Sequence, residues 1–337
     1  MTETSWQDYY AVPIVSALSQ FGIVPQNVTF VHLSENATFR VEEASTGREF
    51  ALRFHRPGYH DLDELRSEQV WTAALAAAGI AVPEPVLASD GRGYVDVEIA
   101  ALGERRWVSL SRWLNGRMMR EVLESGDTAT ATDLFSQLGG LIARAHNQAT
   151  RWSPPPLFRR HRLDAEGLMG EFPIWGAFWK YSEFDEHEQT LMLACRDAIR
   201  RELKRYGVSN ETFSVIHADP HPGNIIVHTA GVAMIDFDDT AFGWHIYDLA
   251  VALIWLRDHP AYPILRDACV VGYRAYRSLG DHDLAMLPTF MLARGMGQLG
   301  WFHERPEVIV PPEIDALCKW VRDQAAFYMA DASSERL

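Results

Sequence analysis

Cysteine is scarce in this chain. Cys195, Cys269 and Cys318 are far apart, odd in number and without a CxxC spacing. Neither a disulfide framework nor a thiolate zinc site is therefore expected. Basic residues are also in short supply: 31 Lys and Arg stand against 45 Asp and Glu, a formal net charge of −14. Nucleic-acid binding needs a basic face that displaces counterions from phosphates, so that class of partner is not expected. No uninterrupted apolar run approaches the roughly 18 residues a membrane span needs. The opening MTETSWQDYYAV is acidic, with no basic segment followed by an apolar one, and does not read as a signal peptide. A cytoplasmic protein without a membrane partner is the expectation. Neither composition nor pattern sets an oligomeric state.

Against those absences stand 47% hydrophobic residues in a chain of 337, enough for a large core and two lobes. Residues 6–22 have the spacing of an amphipathic helix. NVTFVHL, ATFRVEEA and EFALRFH are then short runs rich in β-branched and aromatic residues, with ASTGRE as the turn between the second and third. DLDELRSEQVWTAALAAAG reads as a helix opened by Asp61 or Asp63 and stopped by Gly79. VPEPVLAS is extended because its prolines forbid a helix, and YVDVEIAALG and RRWVSLSRWL are two more strands. Residues 27–115 are thus expected to form an antiparallel sheet of about five strands with one helix inserted after the third. From Asp127 onward the pattern is mostly helical. Residues 130–148 put Leu138, Leu141 and Ala145 on a core-facing stripe, and 186–207 repeat that signature. The shift at LNGR (114–117) marks the expected boundary between a small β-rich lobe, 1–114, and a larger helical lobe, 115–337. RWSPPPLFRR (151–160) reads as a rigid connection.

One stretch concentrates the polar chemistry: VIHADPHPGNIIVHTAGVAMIDFDD, residues 215–239, with three histidines and four aspartates. Asp219 follows a run, SVI, that reads as a strand. Pro-His-Pro-Gly cannot be helical, so a tight loop leads to Asn224 just before IIV. A hairpin then returns the chain to Asp236 at the end of VAMI. One loop and one hairpin are expected to bring Asp219, Asn224 and Asp236 to one edge. An Asn and an Asp of hard oxygen, with a further carboxylate to accept a hydroxyl proton, suit phosphoryl transfer with Mg²⁺.

The pattern H-x-D-x-x-x-x-N followed by D-F-D looks like the catalytic loop and metal aspartate of kinases. Its local form, HADPHPGN…MIDFDD…YDLA, resembles the aminoglycoside phosphotransferase, choline kinase and homoserine kinase superfamily, where it reads roughly H-G-D-x-H-x-x-N and then I-D-[FW]-[ED]. The resemblance implies an α+β, protein-kinase-like two-lobed fold: a small antiparallel β N-lobe with one inserted helix binds the nucleotide, and a larger, mainly α C-lobe carries the catalytic loop and acceptor site. It implies transfer of the γ-phosphoryl group of ATP, with Mg²⁺, to a hydroxyl of a small molecule. Asp219 would be the catalytic base, Asn224 and Asp236 the Mg²⁺ ligands, and His217 a brace for the loop. Arg53 stands where kinases usually carry a phosphate-binding Lys, and Glu68 where its pairing Glu belongs. HLSENATFRV would cover the phosphates, with Ser34 and Asn36 in its tight part, and Ser111, Arg112, Trp113 and Leu114 would be the hinge that meets adenine. Three departures accompany this. Arg replaces Lys at 53, which keeps the charge and changes the pairing geometry. The loop over the phosphates has no glycine. Ala218 and Pro220 replace the usual Gly and Leu without altering the chemistry. The short gap from Asp236 to Asp248 leaves no room for a long activation loop.

Simpler readings stand beside these. His217, Asp219 and His221 form an H-x-D-x-H triplet that could bind zinc or iron, but no second cluster completes a coordination sphere. His221 is expected to brace the loop, His245 to start a helix, and Asp248 to accept backbone N–H groups of the catalytic loop. Asp238 is either a liner of the metal or acceptor side or part of a solvated turn. FPIWGAFWKYSEF (172–184) is either core or an aromatic wall for a cationic acceptor. Two other functions fit the same residues: a bacterial stress-response type Ser/Thr protein kinase, and a nucleotide-binding regulator without turnover.

Overall fold

The structure, a computed structural model, describes residues 6–33, 36–306, 308 and 311–334. The chain divides into two compact units. One runs through Arg117 and includes Ser153–Arg160 and Ile226–Asp238; the other comprises Met118–Trp152, His161–Ile225 and the chain from Asp239 onward. In chain order the elements are α1 (Trp6–Gln20), β1 (Pro25–Leu33), β2 (Ala37–Glu43), β3 (Glu49–Phe54), α2 (Leu62–Ala77), β4 (Pro85–Val86), β5 (Tyr94–Ile99) and β6 (Glu104–Arg112). Next come β7 (Arg117–Met118), α3 (Met119–Ser125), α4 (Thr128–Arg151), β8 (His161–Leu163), α5 (Ala165–Met169), α6 (Glu186–Tyr206), β9 (Phe213–Ile216), β10 (Ile225–His228) and β11 (Gly231–Met234). The chain ends with β12 (Ala241–Trp244), α7 (His245–Ile254), α8 (Tyr262–Arg274), α9 (Asp281–Ala285), α10 (Leu287–His303) and α11 (Glu313–Ser334). Among the described residues no helix is long and apolar enough to cross a membrane.

In the first unit β1 to β6 form an antiparallel sheet of order β1-β2-β3-β6-β4, with β5 also on β6. Alternation along the strands sets its faces. Phe39 and Val41 of β2 and Phe50, Leu52 and Phe54 of β3 are buried, and α1 lays Tyr10, Ile14 and Leu18 against them. Tyr10 meets Phe54 edge-on at 5.1 Å and Trp6 meets Phe39 at 5.3 Å. Fully burying one such ring contributes about 2 kcal/mol, with about 1 more from the edge contact. Arg53, between Leu52 and Phe54, therefore emerges on the opposite face, across from Thr38 and Ser109. Helix α2 starts in a capping box, Asp61 accepting the N–H groups of Asp63 and Glu64. Composition placed one cut near residue 114, but the β10–β11 hairpin packs with the first unit: Met234 N–H donates to Ala81 O at 3.0 Å, and Trp71 meets Phe237 at 5.7 Å. β7 pairs with β10 in a small sheet of order β11-β10-β7.

In the second unit β12 runs parallel to β8 and antiparallel to β9. β9 ends at Ile216 and delivers the loop 217–224, while β12 leads directly into α7, buried along its whole length. Helices α4 and α8 approach at glycines. A Cβ on Gly139 would lie 1.9 Å from the Cys269 carbonyl oxygen, and one on Gly272 1.9 Å from that of Ser136. Backbone-to-backbone contact is what requires glycine there. All three cysteines are free and buried.

Candidate active site

Asp248, in the first turn of α7, anchors the loop after β9. Its carboxylate accepts the N–H groups of His217 at 3.1 Å and Ala218 at 2.8 Å, and His146 Nε2 lies 3.0 Å away. Burial holds His146 neutral, so its ring donates from Nε2 and receives the Tyr273 hydroxyl at Nδ1, 2.9 Å away. Burial pushes Asp248 up to about 6, and His217 and the two N–H donors offset part of that rise. Ala218 is turned into the left-handed region, φ 67°. That conformation costs a residue with a Cβ about 1 kcal/mol. The usual glycine at this position thus has a conformational reason, apart from any chemistry of the side chain.

The turn presents Asp219. Arg294 Nη2 of α10 lies 2.5 Å from Asp219 Oδ1, and Asn224 Nδ2 donates to Asp219 Oδ2 at 2.9 Å and to its carbonyl at 3.0 Å. Burial works against ionisation of Asp219, but His221, at 3.5 Å, and Arg294 outweigh it and hold the carboxyl below its ordinary range. His217 Nδ1 accepts the Asp219 N–H at 3.2 Å, and His221 Nδ1 that of Gly223 at 3.0 Å. Both rings spend a nitrogen on the main chain. Among the described residues His217, Asp219 and His221 form no group of converging ligand atoms.

The first unit gathers a different set. Arg53 Nη2 donates to Asp236 Oδ1 at 2.7 Å, and its guanidinium lies 3.7 Å from Asp238 and 3.8 Å from Glu68. Asp236 is thus a closer partner than Glu68, the residue expected to pair with Arg53. Burial opposes the Arg53 charge, and the three carboxylates hold it on. Burial, helped by Asp238, raises Glu68; burial also opposes ionisation of Asp238, where Arg53 overrides it and lowers the pKa. Asp238 is buried, not a solvated turn: it accepts from Asn36 Nδ2 at 3.0 Å, and its carbonyl meets His60 Nε2 at 2.9 Å and Arg160. Asn36 Oδ1 takes the Arg56 N–H at 2.8 Å, so both ends of that amide are engaged. Ser34 lies outside the described residues. Asp236 itself is left-handed, φ 63°. At the hinge, Ser111 pairs across the sheet with Ala51 and Pro85, Arg112 N–H donates to Glu84 O at 2.8 Å and Trp113 N–H to Glu49 O at 3.0 Å. Leu114 follows directly.

The phosphotransferase enzyme family matches residues 28–281. The chain belongs to that family. This phosphotransferase is 23% identical over 307 residues to amicoumacin kinase of Bacillus subtilis (strain 168), which spans 86% of this chain and 84% of the relative. Among solved structures it is similar to the microcompartment-associated aminopropanol kinase, with a TM-score of 0.80 and 29% identity over 96% of this chain and 98% of that one. An amicoumacin kinase in complex with AMP-PNP, Ca²⁺ and Ami shares the fold, with a TM-score of 0.77 and 22% identity over 96% of both chains. The phosphotransferase accordingly has the α+β, protein-kinase-like architecture: an antiparallel sheet with α2 inserted after β3, and a largely helical second unit.

Several residues of the phosphotransferase escaped the sequence reading. Arg294 is the foremost. Its one visible signal is a lone cation in an otherwise apolar run, LPTFMLARGMGQLGW. Tyr247 and Trp175 flank it, with the buried Tyr247 hydroxyl placed between Arg294 and the Trp175 indole. The aromatic run around Trp175 is mostly core, with Trp175, Phe178, Tyr181 and Phe184 buried.

Proposed function

We propose that this phosphotransferase moves the γ-phosphoryl group of ATP, with Mg²⁺, to a hydroxyl group of a small molecule. The observation that carries the reading is Asp219: a carboxylate only 16% exposed, kept ionised between Arg294 and the Asn224 amide, on a loop pinned by Asp248. Such a carboxylate is a weak base. Its work is to accept the acceptor's O–H, hold that oxygen in line and take the proton as the new P–O bond forms. Asn224 and Asp236 supply hard oxygen ligands; the Asn224 nitrogen is spent on Asp219, which leaves its carbonyl oxygen to ligate. Magnesium bound there neutralises phosphate charge. Arg53 is the phosphate-binding cation, braced by Glu68 and by Asp238, which also fixes Asn36; the phosphates then meet the main chain near Asn36. Of the hinge residues Ser111, Arg112, Trp113 and Leu114, the last supplies the N–H for adenine, because those of 112 and 113 are committed within the sheet. The aminopropanol acceptor named for a relative supports an alcohol that also carries an amine, and a net charge of −14 favours a cation.

The test is acceptor-stimulated ADP release over a panel of amino alcohols, aminoglycosides, choline, homoserine and sugars. A stimulating acceptor should lose about 10³-fold in turnover with Asp219→Asn while Mg·ATP binding persists. Asp236→Ala should remove the magnesium dependence of nucleotide affinity. Full turnover by Asp219→Asn sinks the reading.

A further inference from the structure

The first unit holds a group of potential ligands to which this mechanism gives no metal: His55 has no part in it, and Glu68 and Asp238 serve only as braces. His55, Glu68 and Asp238 are 3%, 9% and 7% exposed. Each offers one ligand atom, and the three atoms lie within 4.8 Å of one another. His55 Nδ1 is 3.8 Å from Asp238 Oδ1. Those two atoms and Glu68 Oε2 are buried with no hydrogen-bond partner.

Lone pairs converging on one buried space, with no donor among them, repel unless positive charge lies between. Arg53 supplies it only from outside the group, without a hydrogen bond to either carboxylate. Arg53 stays 3.8 Å from Glu68 Oε1 and 3.7 Å from Asp238 Oδ2, outside hydrogen-bond range. Asn36 satisfies only the other Asp238 oxygen. The imidazole is aimed: His55 Nε2 sits 2.9 Å from Ser109 Oγ, and with the proton on Nε2 the Nδ1 lone pair points into the group. An outer partner on the non-ligating nitrogen is what metal-binding histidines carry. We infer that His55, Glu68 and Asp238 bind a divalent cation in the absence of nucleotide, distinct from the magnesium assigned to Asn224 and Asp236. One imidazole nitrogen and two carboxylate oxygens favour Mn²⁺ or Zn²⁺ over Mg²⁺, which prefers oxygen throughout. The ion ties Glu68 to Asp238 and so fixes the two carboxylates between which Arg53 is held.

The experiment uses the full chain, stripped with EDTA and free of nucleotide and acceptor, so it stands or falls apart from the kinase reading. Mn²⁺ is titrated and followed by electron spin resonance. One bound ion is expected, with spin-echo modulation from a directly bonded nitrogen. His55→Gln should abolish the modulation, and Ser109→Ala, which leaves every ligand in place, should weaken binding about tenfold. Asn224→Ala should leave it unchanged. Bound Mn²⁺ without nitrogen coupling, or equal affinity in His55→Gln, overturns the inference. So does a stripped protein that takes up no ion and is instead stabilised by acid, since a proton then fills the space.

Discussion

Each unit carries an aspartate clasped by an arginine beside a strained turn. In the second unit Arg294 lies 2.5 Å from Asp219, next to Ala218 at φ 67°; in the first Arg53 lies 2.7 Å from Asp236, itself at φ 63°. These are the two non-glycine residues with positive φ among the described residues. The difference lies in what stands behind each carboxylate. Asp219 has a side chain only 16% exposed, and Asp248 holds the main chain just before it. Asp236 has a side chain 42% exposed, and its arginine is shared with Glu68 and Asp238. A fixed carboxylate with one committed cation suits the holding of one hydroxyl. An open carboxylate with a shared cation can exchange its partner for a metal ion.

The largest expected effect breaks the Asp219 side of this comparison. Arg294→Gln removes a charge that holds Asp219 ionised. Turnover should fall about 10²-fold, comparable to losing one electrostatic contact at a reacting centre. Its loss lifts the Asp219 pKa. Because activity needs the ionised form, present above its pKa and lost as pH falls through it, the acid limb of the kcat profile should move to higher pH. Nucleotide affinity, assigned to Arg53 and Asp236, should not move. An unshifted acid limb would show that Arg294 only fills space.

The two sites also differ in how far the sequence reveals them. The stretch 215–248 contains Asp219, Asn224 and Asp248, so a tight loop, Pro-Gly turn chemistry and the start of an apolar helix suffice to find them. The strands' places along the chain and the helix after the third were equally legible, because alternation and spacing are local signals; the sheet order β1-β2-β3-β6-β4 was not. In the cluster around Arg53, the resemblance supplies Asn36 and Glu68 and leaves Asp238 open, but Arg160 comes from a distant point of the chain that no spacing rule links to them. Arg294 was hidden for the same reason: its partner lies outside its own helix. Backbone angle was hidden too, since nothing in HADPHPGN states that Ala218 is left-handed.

A smaller effect tests the frame behind Asp219. Asp248→Asn keeps one acceptor but turns a donor toward the N–H groups, which should cost about 2 kcal/mol. The pH dependence separates this from simple packing. The folded pKa of about 6 is above the ordinary aspartate value of 3.8. The carboxyl's contribution to stability is therefore complete below about 3.8 and is lost as pH rises through 6. In denaturant melts the advantage of wild type over the variant should shrink across that window and stay constant above it. A gap that widens with pH would reverse the sign and place the Asp248 proton elsewhere. Turnover should drop with the loosened loop while nucleotide affinity holds.

The smallest effect is the most discriminating about the turn itself. Ala218→Gly relieves about 1 kcal/mol of left-handed strain. It also gives the unfolded chain more freedom, worth roughly 0.4–1 kcal/mol in the opposite direction. The two nearly cancel, so stability should stay within about 0.5 kcal/mol of wild type. The two effects do not act on the same state, however. Strain belongs to the folded loop, and the added freedom mostly to the unfolded chain. A glycine turn held by the same Asp248 contacts should thus leave kcat unchanged. If kcat falls while stability holds, the Ala218 methyl restricts the loop and contributes to placing Asp219, and the frame is more than the two hydrogen bonds from Asp248.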